Sequence, residues 1–244
     1  MGKRAGEFVR LSVSDGTTMA AYAARPAGEG PHPGLLVFQE AFGVNAHIRD
    51  VTERFAREGY TAIAPELFHR TGPGFEGAYD DFESTRVHTG ALDNADLEAD
   101  IRAAYDWLRN DTATDGKRIL SVGFCMGGRV SFLANSLLPL AASASFYGAR
   151  IAPANLDRVA LVHAPMLFFW GGLDRHITPD VVAAVTGAFR SAGKPFISVE
   201  FSDADHGFFC NARGSYNAQA AAEAWSLLVT FFREHGGADS DPRS

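Results

Sequence analysis

Three observations predict an α/β fold with a mostly parallel central sheet, helices on both faces and an N-terminal antiparallel hairpin. Short apolar runs, of the kind that form buried parallel strands, alternate along the chain with segments of helical spacing. Two strand-like segments at the start, Glu7–Val13 and Thr18–Ala23, are joined by the turn sequence Ser14-Asp15-Gly16. A third apolar run, Ile119–Val122, ends in Gly123-Phe124-Cys125-Met126-Gly127-Gly128 and passes straight into a helical pattern. Strands that alternate with helices imply βαβ units, and hence a parallel sheet covered on both sides.

The elements follow in order. After the hairpin and a Pro/Gly-rich loop, Gly34–Gln39 is a buried strand. Asn45 to Glu58 is helical, with Ile48, Val51 and Phe55 on one face and Gly59 as its stop. Tyr60–Ala64 is the next strand, ended by Pro65. Leu67 to Gly90 mixes glycine, aromatics and charge without clean periodicity, which suits an active-site loop with short helices. Asp93–Asn110 is an amphipathic helix with Leu97, Ile101, Ala104, Tyr105 and Leu108 on its apolar side. Ile119–Val122 and a helix through Leu133 come next. Ala141–Tyr147, Met166–Trp170 and Phe196–Phe201 read as further strands, with helices over Val181–Ser191 and Tyr216–Phe232. No repeat or break in composition divides the chain, so residues 1–236 are expected to form one domain and 237–244 a polar tail.

Composition excludes several classes. The chain has 244 residues, 46% of them hydrophobic and 21% charged, which is ordinary for a globular protein with a sizeable core. A net charge of -7 argues against a nucleic-acid backbone or an anionic membrane as partner. No apolar leader precedes the first strand, and no apolar run is long enough to span a bilayer. A cytoplasmic protein is expected, as a monomer or small homo-oligomer. Its two cysteines, Cys125 and Cys210, are then free thiols.

In open α/β sheets the chemistry gathers at the carboxyl ends of the strands. Cys125 sits there, between a strand and the start of a helix, where free N–H groups and the positive dipole end favour a thiolate. Asp174 follows Leu167–Leu173, and His206 follows the strand Phe196–Phe201. A thiol, a carboxylate and an imidazole in this order suit covalent acyl transfer: the thiolate attacks, His206 moves the proton, and Asp174 fixes the ring tautomer. Asp203 and Asp205 lie too close to His206 in sequence and read as solvated loop charges. His69, His163 and His176 read as surface or loop histidines, and His47 as a neighbour of the pocket. His206 and Cys210 stand four apart, but no further ligand has suitable spacing, so neither a metal nor a cofactor is expected. Glu40 ends the strand Gly34–Gln39 and would face the same crevice as Cys125. The N–H groups of Ala41 and Met126 are placed to form an oxyanion hole.

At these residues the chain resembles the dienelactone hydrolase family (carboxymethylenebutenolidases) of the α/β-hydrolase fold. The resemblance runs through Gln39-Glu40-Ala41-Phe42-Gly43-Val44-Asn45, Gly59-Tyr60, Pro65-Glu66-Leu67, Gly123–Gly128, Gly171-Gly172-Leu173-Asp174 and Asp205-His206-Gly207-Phe208. It implies a Cys125–Asp174–His206 triad that opens an ester or lactone through a thioester. It also implies that Glu40 contacts the resting thiol until substrate releases it. Family members hold the substrate carboxylate with two arginines, one of them four residues beyond the histidine, where this chain has Cys210. Arg86 and Arg213 are the nearest replacements, and Arg213 reads more readily as a solvated surface side chain. Phe42, Phe75, Tyr79, Phe82, Phe208 and Phe209 supply aromatic residues for a pocket, with Phe42 and Phe208 the candidate substrate contacts. Three rivals accompany this reading: a general carboxylesterase or thioesterase for uncharged esters, a non-catalytic binding member of the fold, and a redox sensor using Cys125 and Cys210.

Overall fold

The computed structural model describes residues 6–237, so the expected tail lies outside the described residues except for Gly237. Eight strands form one sheet in the order β1-β2-β4-β3-β5-β6-β7-β8. The hairpin strands β1 (Glu7–Ser12) and β2 (Thr18–Ala24) pair antiparallel, and β2 pairs antiparallel with β4 (Thr61–Pro65). The rest of the sheet is parallel: β4, then β3 (His32–Phe38), β5 (Thr114–Phe124), β6 (Ser143–Phe146), β7 (Met166–Gly171) and β8 (Phe196–Phe201). This is the predicted α/β architecture. Pro65 closes β4 from within the strand rather than just after it.

Helices cover both sheet faces. On one side α1 (Ala46–Arg57) packs beside α6 (Ala218–Gly236), where the Phe55 ring meets Trp225 and Phe232. Asn45 caps α1 by accepting a bond from Ile48 N at 3.2 Å, and Ile48, Val51 and Phe55 are fully buried. Each such side chain contributes roughly 1.5–3 kcal/mol by leaving water. On the other side α3 (Asn94–Asn110) and α4 (Met126–Leu137) pack against the sheet and each other. A 3-10 turn over Leu156–Leu161 links α4 to α5 (Pro179–Ser191), which Thr178 and Pro179 begin. The loop after β4 carries one helix, α2 (Phe82–Ala91). Among the described residues no helix is long and apolar enough to cross a membrane.

Two differences from the sequence reading have physical causes. The strand β5 begins at Thr114 rather than Ile119, because His32 and Pro33 extend the pairing through an irregularity in register. The helix α4 runs on to Leu137, buried along almost its whole length, so its apolar residues do not form the one-sided stripe that marks a surface helix.

The parallel register sets the site. Phe38 pairs with Gly123, Phe124 with Phe146, and Gly171 with Phe201. The residues that follow β3, β5, β6, β7 and β8 therefore emerge along one edge of the sheet.

Candidate active site

Cys125 occupies the turn between β5 and α4 with φ 54° and ψ -116°. That left-handed conformation is strained for a side chain with a Cβ and costs of order 1–3 kcal/mol. The surroundings hold it there. Cys125 N donates to Phe146 O at 3.0 Å, and its carbonyl accepts from Gly128 N at 3.0 Å and Ala149 N at 3.2 Å. The three glycines of the motif are needed for space. A Cβ on Gly123 would fall 1.8 Å from Gly127 O, one on Gly127 2.3 Å from Phe38 O, and one on Gly128 2.6 Å from Gly148 Cα.

His206 Nδ1 donates to Asp174 Oδ2 at 2.7 Å, leaving the other ring nitrogen unbonded among the described residues, and both His206 and Cys125 line one cavity. Asp174 Oδ1 accepts from His176 N at 2.7 Å and Ile177 N at 3.1 Å, which fixes the carboxylate plane. Burial alone would raise the Asp174 carboxyl, but the bond to His206, its charge and these N–H groups hold it below its usual range. Burial would likewise lower the His206 pKa. The negative charge available on Cys125 and the bond to Asp174 outweigh it and carry the ring up to about 10. Asp203 and Asp205 are exposed, as the sequence implies.

Glu40 follows β3 and is 1% exposed. Its Oε1 accepts from Arg213 Nη1 at 3.1 Å. Burial raises the carboxyl above its usual range, and the guanidinium opposes that rise. Arg213 is not the solvated surface residue expected from the sequence: its side chain is 11% exposed and lies beside the Phe42 and Tyr79 rings. Gly207 makes this possible. It has φ +80°, and a Cβ there would fall 2.4 Å from the guanidinium carbon.

A cavity of about 640 Å³ opens beside these groups, lined by Cys125, His206, Ala41 and Met126 among others. Met126 is the first residue of α4, so its N–H has no partner within the helix. Phe42 and Phe82 line the apolar part of the wall. The cationic part is Arg86, Arg129, Arg150 and Arg213, and no carboxylate among the described residues lines the cavity. Arg86 stands at the rim, its side chain 76% exposed and paired with Glu83 at 3.2 Å. Phe208 does not reach the cavity: it is fully buried, with its ring against Phe146, Tyr147 and Phe201, so its candidacy as a substrate contact is withdrawn. Phe209 is likewise core, stacked between Phe124 and Trp225.

Sequence reasoning missed several neighbours. Tyr147, just after β6, has φ 37° and packs its ring 5.1 Å from that of His206. Its position in Phe146-Tyr147-Gly148 at a strand end was the available signal. Arg129, one turn into α4, is 8% exposed and its Nε has no partner among the described residues. His176 is an exposed loop residue, yet its ring lies 5.4 Å from His206 and it lines the cavity. His69 departs most from expectation. It is 6% exposed and bonds Asp100 at 3.0 Å, well inside the protein. Cys210 is fully buried and faces Glu40 and His47 rather than His206.

Comparison with known proteins gives one consistent family. Residues 19–236 match the model of the "Dienelactone hydrolase family". The "Putative carboxymethylenebutenolidase" of Synechocystis sp. is 37% identical over 88% of this chain and 91% of its own length. The "Probable 2-oxo-3-(5-oxofuran-2-ylidene)propanoate lactonase" of Bradyrhizobium sp. is 28% identical, over 91% of this chain and 92% of its own. Among solved structures, the "Putative Dienelactone Hydrolase" of Klebsiella pneumoniae superposes with a TM-score of 0.85. It is 33% identical and covers 95% of this chain and 100% of its own.

Proposed function

We propose, for a chain that belongs to the dienelactone hydrolase family and is a hydrolase of carboxylic esters or lactones, that the reaction runs through a thioester on Cys125. One observation carries this reading: His206, bonded to Asp174 at 2.7 Å, lines the same cavity as Cys125. The thiolate adds to the acyl carbon. The N–H groups of Ala41 and Met126 stabilise the tetrahedral oxyanion. When it collapses, the C–O bond breaks and His206 protonates the leaving oxygen, which in a lactone stays attached to the acyl chain. Water, deprotonated by His206, then attacks the thioester and returns the acid and the Cys125 thiol. Asp174 keeps the ring oriented and stabilises imidazolium throughout.

The cavity wall favours an acid-bearing substrate over a neutral one. Among the described residues four arginines and no carboxylate line it, and a guanidinium pairs well with a substrate carboxylate. Of the four, Arg213 bonds Glu40 Oε1, at 3.1 Å. A substrate anion that draws Arg213 away would change the charge facing Cys125, in keeping with the switch that the family resemblance implies for Glu40.

The test is turnover of acidic and neutral lactones of equal size by Cys125→Ala. The substitution is expected to remove at least about a thousandfold of kcat on both. Turnover by Cys125→Ala at the parent rate would exclude the thioester route.

A further inference from the structure

We propose that Glu40, His47 and Cys210 form a binding site for a borderline divalent metal ion such as Zn2+, set behind the catalytic thiol. One ligand atom from each of the three lies within 4.8 Å of the others. All three residues are buried, at 1%, 8% and 0% exposure. Two of the donors are unused: His47 Nε2 and Glu40 Oε2 have no hydrogen-bond partner among the described residues. Leaving a buried polar atom unpaired is costly, and a cation on the same atoms recovers that cost.

The donor set selects the ion. Thiolate, imidazole and carboxylate together suit Zn2+ and its first-row neighbours better than Mg2+ or Ca2+, which take oxygen ligands. Ligands at about 2.0–2.3 Å from a tetrahedral ion stand roughly 3–4 Å apart, so side-chain adjustment from the observed spacing is enough. The ion would take Glu40 Oε2 while Arg213 keeps Oε1. Cys210 loses its proton to solvent as the S–metal bond forms, and water fills the fourth position. Entry is through a second, smaller pocket of about 190 Å³ on the far side, whose wall includes His47, Asp50, Asn211 and Tyr216. Arg54 lines the same pocket and Arg213 borders the site, so both oppose the ion and set a moderate affinity. Sequence spacing brings Cys210 near His206, four residues away, and cannot reveal His47 on α1, which only the fold brings beside it.

The experiment uses the full-length Cys125→Ala protein, in which Cys210 is the remaining thiol of the two. Titration with Co2+ is expected to produce thiolate-to-cobalt charge-transfer absorption that saturates at one ion per chain and is displaced by Zn2+. Adding Cys210→Ser should abolish the band, and adding His47→Gln should weaken Co2+ binding at least roughly tenfold. Circular dichroism checks that each variant is folded, and His47→Gln alone carries the test if Cys210→Ser is not. Absence of the band in Cys125→Ala, or a band indifferent to His47→Gln, would overturn the site and leave buried water as the partner of these atoms. The readout is metal binding rather than turnover, so it stands apart from the thioester route.

Discussion

Two histidine–aspartate pairs are buried among the described residues. His206 meets Asp174 at 2.7 Å, and His69 meets Asp100 at 3.0 Å. Both histidines follow the carboxyl end of a parallel strand, β8 in one case and β4 in the other. The surroundings differ. Asp100 is also clamped by Arg70, whose two terminal nitrogens reach its two oxygens at 2.9 and 3.0 Å, and Arg70 is bonded in turn to Asp15. Its charge is already matched, and α3 closes over the pair. Asp174 has no guanidinium partner among the described residues; backbone N–H groups and His206 satisfy it, and the far nitrogen of His206 faces a thiol and a cavity. A His–Asp bond is therefore not a signature of chemistry. The uncommitted carboxylate, the neighbouring thiol and the open space are.

The comparison is broken most severely by exchanging the two histidines' fates. His206→Asn should lower kcat/KM by about a thousandfold or more with a modest change in melting temperature. His69→Asn and Asp100→Asn should do the reverse. Each should destabilise the fold by about 1–3 kcal/mol, through buried groups left unpaired, while kcat/KM stays within about threefold. Chemical denaturation and steady-state kinetics on the same preparations read both. A large kinetic loss in His69→Asn with unchanged stability would remove the distinction.

A smaller effect sharpens it. The His206 pKa is raised in the folded state to about 10 from 6.5. The proton is bound more tightly when folded, so this residue's stabilisation is complete below about pH 6.5 and is lost as pH rises toward 10. The stability advantage of the parent over His206→Gln should shrink across that interval. An advantage that grew with pH would mean the ring is held neutral, contrary to its raised pKa.

Much of the fold was legible because local signals agreed. Asn45 and Gly59 bracket α1, Thr178-Pro179 opens α5, and the glycines around Cys125 mark a place where backbones approach too closely for a Cβ. The candidate site was legible at Cys125, Asp174 and His206 because each follows a strand. Arg213 was not, since its burial depends on the left-handed turn at Gly207 and on Glu40, 173 residues away. Phe208 and Phe209 were ambiguous for the same kind of reason: adjacent aromatics after a strand do not reveal which faces the cavity beside Cys125, and neither lines it. His69 was misread because its partner lies on α3, 31 residues on.

The central claim, that Cys125 forms a covalent acyl intermediate, is tested most directly by mass spectrometry of acid-quenched turnover. With an activated aryl ester, the account predicts an acyl adduct on the peptide carrying Cys125, released by hydroxylamine and absent in Cys125→Ala. Steady turnover with that peptide unmodified, or with the adduct on Cys210 instead, would contradict it.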